Sequence, residues 1–202
     1  MVDDALPSWN DGAAKAGIVD FVTRVTSPGG PDYVMPEERI ATFDNDGTLW
    51  SEQPLYFQLA FALDQIRALA PHHPEWAEKE PFKSVLARDV KSVFAGGVPA
   101  ILDIVIATHA GMTTEAFDVT AREWLATQRH PKTKKLFTEM VFQPMVELLA
   151  YLRANGFITF IVSGGGIEFM RRFAEVSYGV PPEQVIGSKG KLKFEMTEVA
   201  PC

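Results

Sequence analysis

Six residues, Phe157-Ile158-Thr159-Phe160-Ile161-Val162, run almost without a polar side chain and stop at Ser163-Gly164-Gly165-Gly166. A mostly apolar run of this length reads as a strand covered on both faces, and such strands belong to parallel sheets. A helix precedes it: over 143–154, Met145, Leu148, Leu149 and Leu152 share one face, and Asn155-Gly156 is a stop signal. A second helix is expected over 167–177, then a short strand at Val185-Ile186-Gly187, then a turn at Ser188-Lys189-Gly190 leading into 191–196. Upstream, Arg39-Ile40-Ala41-Thr42-Phe43 reads as a strand that ends at Asp44, with a sharp turn at Asp46-Gly47.

Residues 53 to about 140 have a different texture. Helical periodicity is broken at Pro71, Pro74, Pro81, Gly96-Gly97 and Pro99, which fits four or five short helices and no strand. Residues 12–26 form a further amphipathic helix, with Ala14, Ile18, Phe21, Val22 and Val25 on one face and Asp11 placed to cap it. The order strand, helical insert, helix, strand, helix, strand predicts an α/β fold with a Rossmann-like parallel sheet in three α/β/α layers. An all-α insert interrupts it after the first strand, so the expected division is a core of residues 1–50 and 141–202 and a helical cap of residues 51–140.

Charge and composition narrow the partners. The 202 residues are 47% hydrophobic and 22% charged, with net charge −7. That balance suits a globular protein. No basic stripe exists to neutralise a nucleic-acid backbone, and no apolar run of about 18 residues exists to cross a membrane. The start, Met1-Val2-Asp3-Asp4, lacks a charged-then-apolar leader. Compartment stays open between the cytoplasm and, after loss of a signal, the periplasm. The single cysteine, Cys202, forms no internal disulfide or cysteine metal cluster.

Two constellations carry chemistry. In Phe43-Asp44-Asn45-Asp46-Gly47-Thr48-Leu49, the two aspartates are two residues apart on an extended segment and face the same side. They sit at the carboxyl end of a strand, where open α/β sheets bind ligands. Such a pair can hold a hard cation such as Mg2+, and can divide nucleophilic attack from proton transfer. A calcium loop does not fit, because Thr48 and Leu49 stand where it needs Asp or Asn and then Gly; a plain aspartate-rich turn is the alternative. In Ile161-Val162-Ser163-Gly164-Gly165-Gly166, a hydroxyl and free amides at the start of a helix make an anion cradle. A structural glycine turn is the alternative. The stretch lacks the Lys-Ser or Lys-Thr of a P-loop, and Ile161 replaces the glycine that a serine-hydrolase elbow needs. His72, His73, His109 and His130 read as surface or loop residues without metal-ligand spacing, and Lys132, Lys134 and Lys135 as a solvated face. Trp50, Tyr56 and Phe57 can line the pocket mouth or pack the insert onto the core.

Together these residues resemble the haloacid dehalogenase superfamily, in its phosphoserine-phosphatase-like branch. Asp44-Asn45-Asp46-Gly47-Thr48 matches its Asp-x-Asp-Gly-Thr motif, Ser163-Gly164 its second motif, and the insert its helical cap. The resemblance implies a Mg2+-dependent phosphatase for a small phosphomonoester. Asp44 would become an aspartyl phosphate and bind the metal. Asp46 would move protons and also bind the metal, while Ser163, Gly164 and Asn45 would contact phosphate. Glu52 lies near the position of a substrate-recognising glutamate. A dehalogenase that attacks carbon fits less well, since Asp46 serves the protonation of an ester oxygen.

The resemblance also implies a lysine motif and a final acidic motif beyond the third strand. No Asp follows Asp118, and Lys189, Lys191 and Lys193 fall before the place of the lysine motif; Glu183, Glu195 and Glu198 are the late glutamates. The expectation is a sheet left incomplete by C-terminal truncation, with its first strand exposed as an edge. Two consequences follow: a homodimer or domain-swapped oligomer, and a weakened or inactive phosphate-binding or partner-binding remnant as the alternative function.

Overall fold

A computed structural model describes residues 6–193. The acidic start at Asp3 and Asp4, the strand-like part of 194–196, Glu195, Glu198 and Cys202 lie outside the described residues. The elements follow the expected order. Helix α1 (Ala13–Thr26) precedes strand β1 (Ile40–Phe43). The insert carries α2 (Phe57–Leu69), α3 (Phe82–Leu86), α4 (Val90–Ala95), α5 (Gly97–His109) and α6 (Thr114–Thr127). Then come α7 (Gln143–Ala154), β2 (Ile158–Gly166), α8 (Ile167–Met170), α9 (Ala174–Tyr178) and β3 (Val185–Ser188).

The sheet is parallel, in the order β1-β2-β3. Ile40 pairs with Ile158 and Phe43 with Ile161, which brings the carboxyl ends of β1 and β2 side by side. Between β2 and β3 the register slips from Val162–Ile186 to Gly166–Ser188. The irregularity re-aims Ser163, Gly164 and Gly165 at the end of the strand, a common use of bulges beside functional sites.

Strand order and handedness together decide where the helices go. Both connections step in the same direction across the sheet, and right-handed crossovers then place α7 and the α8–α9 pair on the same face. Burial agrees: Thr159, Ile161 and Val185 are buried, whereas Ile40, Ile158, Val162 and Ile186 on the opposite face are 39–56% exposed. The α/β, Rossmann-like parallel core is as expected; among the described residues its helices lie over one face of the sheet. The apolar run 157–162 is buried on alternate residues only. Beside β1, which is an edge of the sheet among the described residues, an apolar groove is lined by Ile18, Phe21, Ile40 and Leu148.

Local signals explain most boundaries. Asp89 caps α4 by accepting from the Ser92 amide, and Thr113 caps α6 by accepting from the Ala116 amide. The α7 stop at Asn155-Gly156 is closed by Phe157 N–H to Leu152 O at 3.1 Å. Two expectations fail. Gly12, not Asp11, stands at the N-cap of α1, and Asp11 pairs instead with Lys15; only Val22 and Val25 of its apolar face are buried. The helix expected over 167–177 is split, because the Arg172 and Phe173 amides turn back to Phe169 O and Met170 O, three residues earlier.

The insert divides between two cores. One face of α2 joins α3–α5 around Leu63, Ile66, Trp76 and Ile104. Phe57, Phe61 and the α6 residues Phe117, Trp124 and Leu125 join the sheet residues Ile161 and Val185 in the main core. His130 is buried rather than superficial: its Nε2 donates to Gln53 O and its Nδ1 accepts from the Thr133 amide. His109 packs edge-on against Phe61, and burial lowers its pKa from the ordinary value. No single helix is long and apolar enough to cross a membrane among the described residues.

Candidate active site

The aspartate loop leaves β1 and folds back on itself at once. Asn45 O accepts from the amides of Thr48, Leu49 and Trp50, while the Gly47 amide donates to Trp50 O at 2.9 Å. Gly47 turns the chain with φ +72°, a conformation that costs other residues energy. Ser51 N–H donates to Met140 O and Phe142 N–H to Leu49 O, so the start and end of the insert are tied together beside the loop.

This loop sorts three consecutive residues into three environments. Asp44 is exposed, and one of its oxygens accepts from the Asn45 amide at 2.8 Å. Asn45 is 1% exposed; its Oδ1 accepts from the Tyr178 hydroxyl at 3.2 Å and its Nδ2 reaches Asp46 Oδ1 at 3.5 Å. The Asn45 side chain thus meets Tyr178 and Asp46 rather than solvent. Asp46 is half-buried, and its Oδ1 accepts from the Trp50 indole N–H at 2.7 Å. Trp50 is itself clamped, stacked on Phe173 with ring centres 4.1 Å apart. Burial pushes the Asp46 carboxyl above its ordinary pKa, and the negative charges of Asp44 and Glu52 act the same way; the Trp50 and Asn45 hydrogen bonds pull it down by less.

Glu52 borders the same turn. A Cβ placed on Gly47 would lie 3.1 Å from its carboxyl carbon. Asp44, Asp46 and Glu52 thus gather negative charge, and none makes an ion pair among the described residues. Such a cluster favours a cation. No group of three or more His, Cys, Asp or Glu is arranged to hold a metal by itself among the described residues. Asp44 and Asp46 fit the weaker pattern of Mg2+, which is held by one or two carboxylates and completed by water and phosphate oxygens.

The glycine-rich, irregular last residues of β2 meet this loop. Ser163 Oγ accepts from the Gly165 amide at 3.3 Å, and Gly164 O accepts from the Ser188 hydroxyl at 3.0 Å. Open space surrounds the Cβ position of Gly164, whereas that of Gly165 lies 3.7 Å from Asp46 Oδ2. The sequence-predicted residues Asp44, Asp46, Glu52, Ser163 and Gly164 therefore converge on one end of the sheet. The helix after the turn is a single turn, Ile167–Met170, so its dipole contributes little and the cradle rests on the turn itself. Lys189, Lys191 and Lys193 are exposed, in a stretch without regular structure.

Three participants are not legible as such in the sequence. Trp50 is visible four residues after Asp46, yet nothing in the spacing aims its N–H at the carboxylate. Tyr178 is 133 residues from Asn45, and Gln58 is 108 residues from Gly166, whose amide donates to its Oε1 at 2.6 Å. Only tertiary packing joins them. Of the aromatic residues after the motif, Trp50 and Phe57 are buried in the core and Tyr56 is exposed.

A family model described as haloacid dehalogenase-like hydrolase matches residues 41–201. No curated protein matches the sequence. Among solved structures, the chain is similar to a phosphoserine phosphohydrolase-like protein from Francisella tularensis subsp. tularensis SCHU S4, at 18% identity and a TM-score of 0.39. That likeness covers 74% of this chain and 57% of the other, so the chain spans somewhat over half the length of that relative.

Proposed function

The chain belongs to the haloacid dehalogenase-like hydrolase family, and on that footing we propose that it hydrolyses a small phosphomonoester with Mg2+ bound at Asp44 and Asp46. The observation that carries the reading is the contrast within one loop. Asp44 is open to solvent with one oxygen uncommitted, while Asp46 is partly buried, hydrogen-bonded by Trp50 and disposed to hold a proton.

Chemistry follows from those two environments. The Asp44 carboxylate forms an O–P bond as the bond from phosphorus to the leaving oxygen breaks, and the Asp46 proton goes to that oxygen. Asp46, now a carboxylate, takes a proton from water as the water oxygen bonds to phosphorus and the Asp44–phosphorus bond breaks. Bound Mg2+ would neutralise charge on the phosphate oxygens. Ser163 and Gly164 offer a hydroxyl and an amide to the transferred group, and Glu52, beside Gly47, suits a cationic substituent on the leaving group. The test is hydrolysis of p-nitrophenyl phosphate, lost in EDTA and restored by Mg2+; activity indifferent to chelation contradicts the metal role.

A second reading keeps the site but not the turnover: a phosphate-binding or partner-binding remnant. It is favoured by the absence, among the described residues, of a third carboxylate arranged with Asp44 and Asp46 to hold a metal. We further propose self-association through the free edge of β1, supported by the exposed Ile40 and the neighbouring apolar groove. A monomer by light scattering at micromolar concentration contradicts it.

A further inference from the structure

Gln58 stands on the first turn of α2, between the buried residues Phe57 and Leu59. Its side chain reaches out of the insert to the glycine turn of the core. Oε1 accepts from the Gly166 amide at 2.6 Å. A Cβ on Gly166 would lie 2.2 Å from Nε2 and 3.0 Å from Cδ. No L side chain larger than glycine fits there without displacing the carboxamide. The Cβ position of Gly165 is 3.7 Å from both Gln58 Oε1 and Asp46 Oδ2, so Gln58 comes to the turn on the Asp46 side.

A hydrogen bond of this kind removes one amide from the anion cradle. Gly165 N–H is directed to Ser163 and Gly166 N–H to Gln58. What Gln58 takes as an acceptor it can return as a donor, because Nε2 carries two N–H groups and donates to no described residue. A neutral carboxamide suits this place. A carboxylate would add negative charge beside Asp44 and Asp46, and an apolar side chain would leave the Gly166 amide without its acceptor.

We infer that Gln58 is a positioning residue through which the insert shapes the phosphate site: Oε1 holds the glycine turn, and Nε2 donates to an oxygen of the bound phosphoryl group. This rests on the proposed phosphate chemistry for its second half, while the first half concerns the free protein. Binding of phosphate and seating of α2 against the core are then coupled.

The experiment uses the whole chain with three substitutions, Gln58→Met, Gln58→Glu and Gly166→Ala, and inorganic phosphate as the probe. Three readouts are taken: hydrogen exchange of the residue-166 amide, phosphate affinity by titration, and KM and kcat for p-nitrophenyl phosphate. Gln58→Met and Gly166→Ala, acting from opposite sides of the contact, should each speed exchange and weaken phosphate by about tenfold, the scale of one lost hydrogen bond. Their combination should cost little more than either alone. Gln58→Glu keeps an acceptor, so exchange should stay slow while phosphate affinity falls furthest. KM should rise more than kcat falls in all three.

Exchange unchanged in Gln58→Met overturns the hold on the turn, and equal phosphate affinity in Gln58→Met and the parent chain overturns the donor role. If the parent chain hydrolyses the ester and Gln58→Met matches it in every readout, the inference fails alone. If the parent chain binds phosphate through Gln58 yet turns nothing over, the inference stands and the proposed hydrolysis fails. If the parent chain does not bind phosphate, the donor role fails with it.

Discussion

On one face of the sheet, Thr159, Ile161 and Val185 are sealed under Leu149 of α7, Phe169 of α8 and Tyr178 of α9. On the other face, Ile40, Ile158, Val162 and Ile186 remain substantially exposed. Residue type does not separate the faces, since both are rich in branched apolar side chains. Topology does, because two right-handed crossovers made in one direction deliver all their helices to one side. The candidate site draws its precision from the covered side. Trp50, Phe173 and Tyr178 belong to the main core, and they fix Asp46 and Asn45.

Substitution on the two faces should expose the contrast directly. Trp50→Ala removes a stacked, fully buried ring and the donor to Asp46; about 3–5 kcal/mol should be lost in urea unfolding. A loss below 1 kcal/mol would mean the covered core is looser than the packing indicates. Tyr178→Phe is subtler, because it leaves Asn45 Oδ1 buried without the hydroxyl that serves it. A cost of about 1–3 kcal/mol is expected by the same measurement.

The open face should respond weakly. Val162→Thr combined with Ile186→Thr should alter stability by no more than about 0.5 kcal/mol per site. A large loss would show that something covers this face in solution, and light scattering on the same variant would show whether that cover is a second copy.

The smallest effect is on pH dependence. Burial penalises the charged form of His109 and lowers its folded-state pKa below the ordinary 6.5, and its Nε2 has no hydrogen-bond partner among the described residues. Below about pH 6.5 the unfolded chain takes up this proton before the folded one does. Stability should therefore fall as pH drops from 6.5 towards the lower folded value, and be indifferent to this group above 6.5. His109→Phe, which can pack against Phe61 and Phe117, should flatten that fall in melting temperatures measured from pH 7.5 to 5.5. An unchanged slope would place the titration elsewhere.

The features legible in the sequence were those that depend on near neighbours. The end of β1 at the aspartate loop and the α7 stop at Asn155-Gly156 each carry their cause within a few residues, whereas β2 runs on through the glycines expected to end it. What was not legible depends on partners distant in sequence. An uninterrupted apolar run such as 157–162 looks the same whether one face or both are covered, because coverage is decided by other strands. His130 was hidden for a similar reason, since its acceptor is Gln53 O, 77 residues away. The break in 167–177 is harder to foresee, as no proline or glycine marks it. Gln58 is the instructive case: a polar residue between Phe57 and Leu59 looks like a helix surface position until Gly166 arrives beside it.

The central proposal is that Asp44 attacks phosphorus while Asp46 gives its proton to the leaving oxygen. Its most direct measurement is steady-state hydrolysis of p-nitrophenyl phosphate with Mg2+ by the unaltered chain beside Asp44→Asn, with folding of both checked by circular dichroism. The account predicts measurable turnover in the first and loss of at least about a thousandfold in the second, the scale expected when a nucleophile is removed. Equal turnover in the two proteins would contradict it.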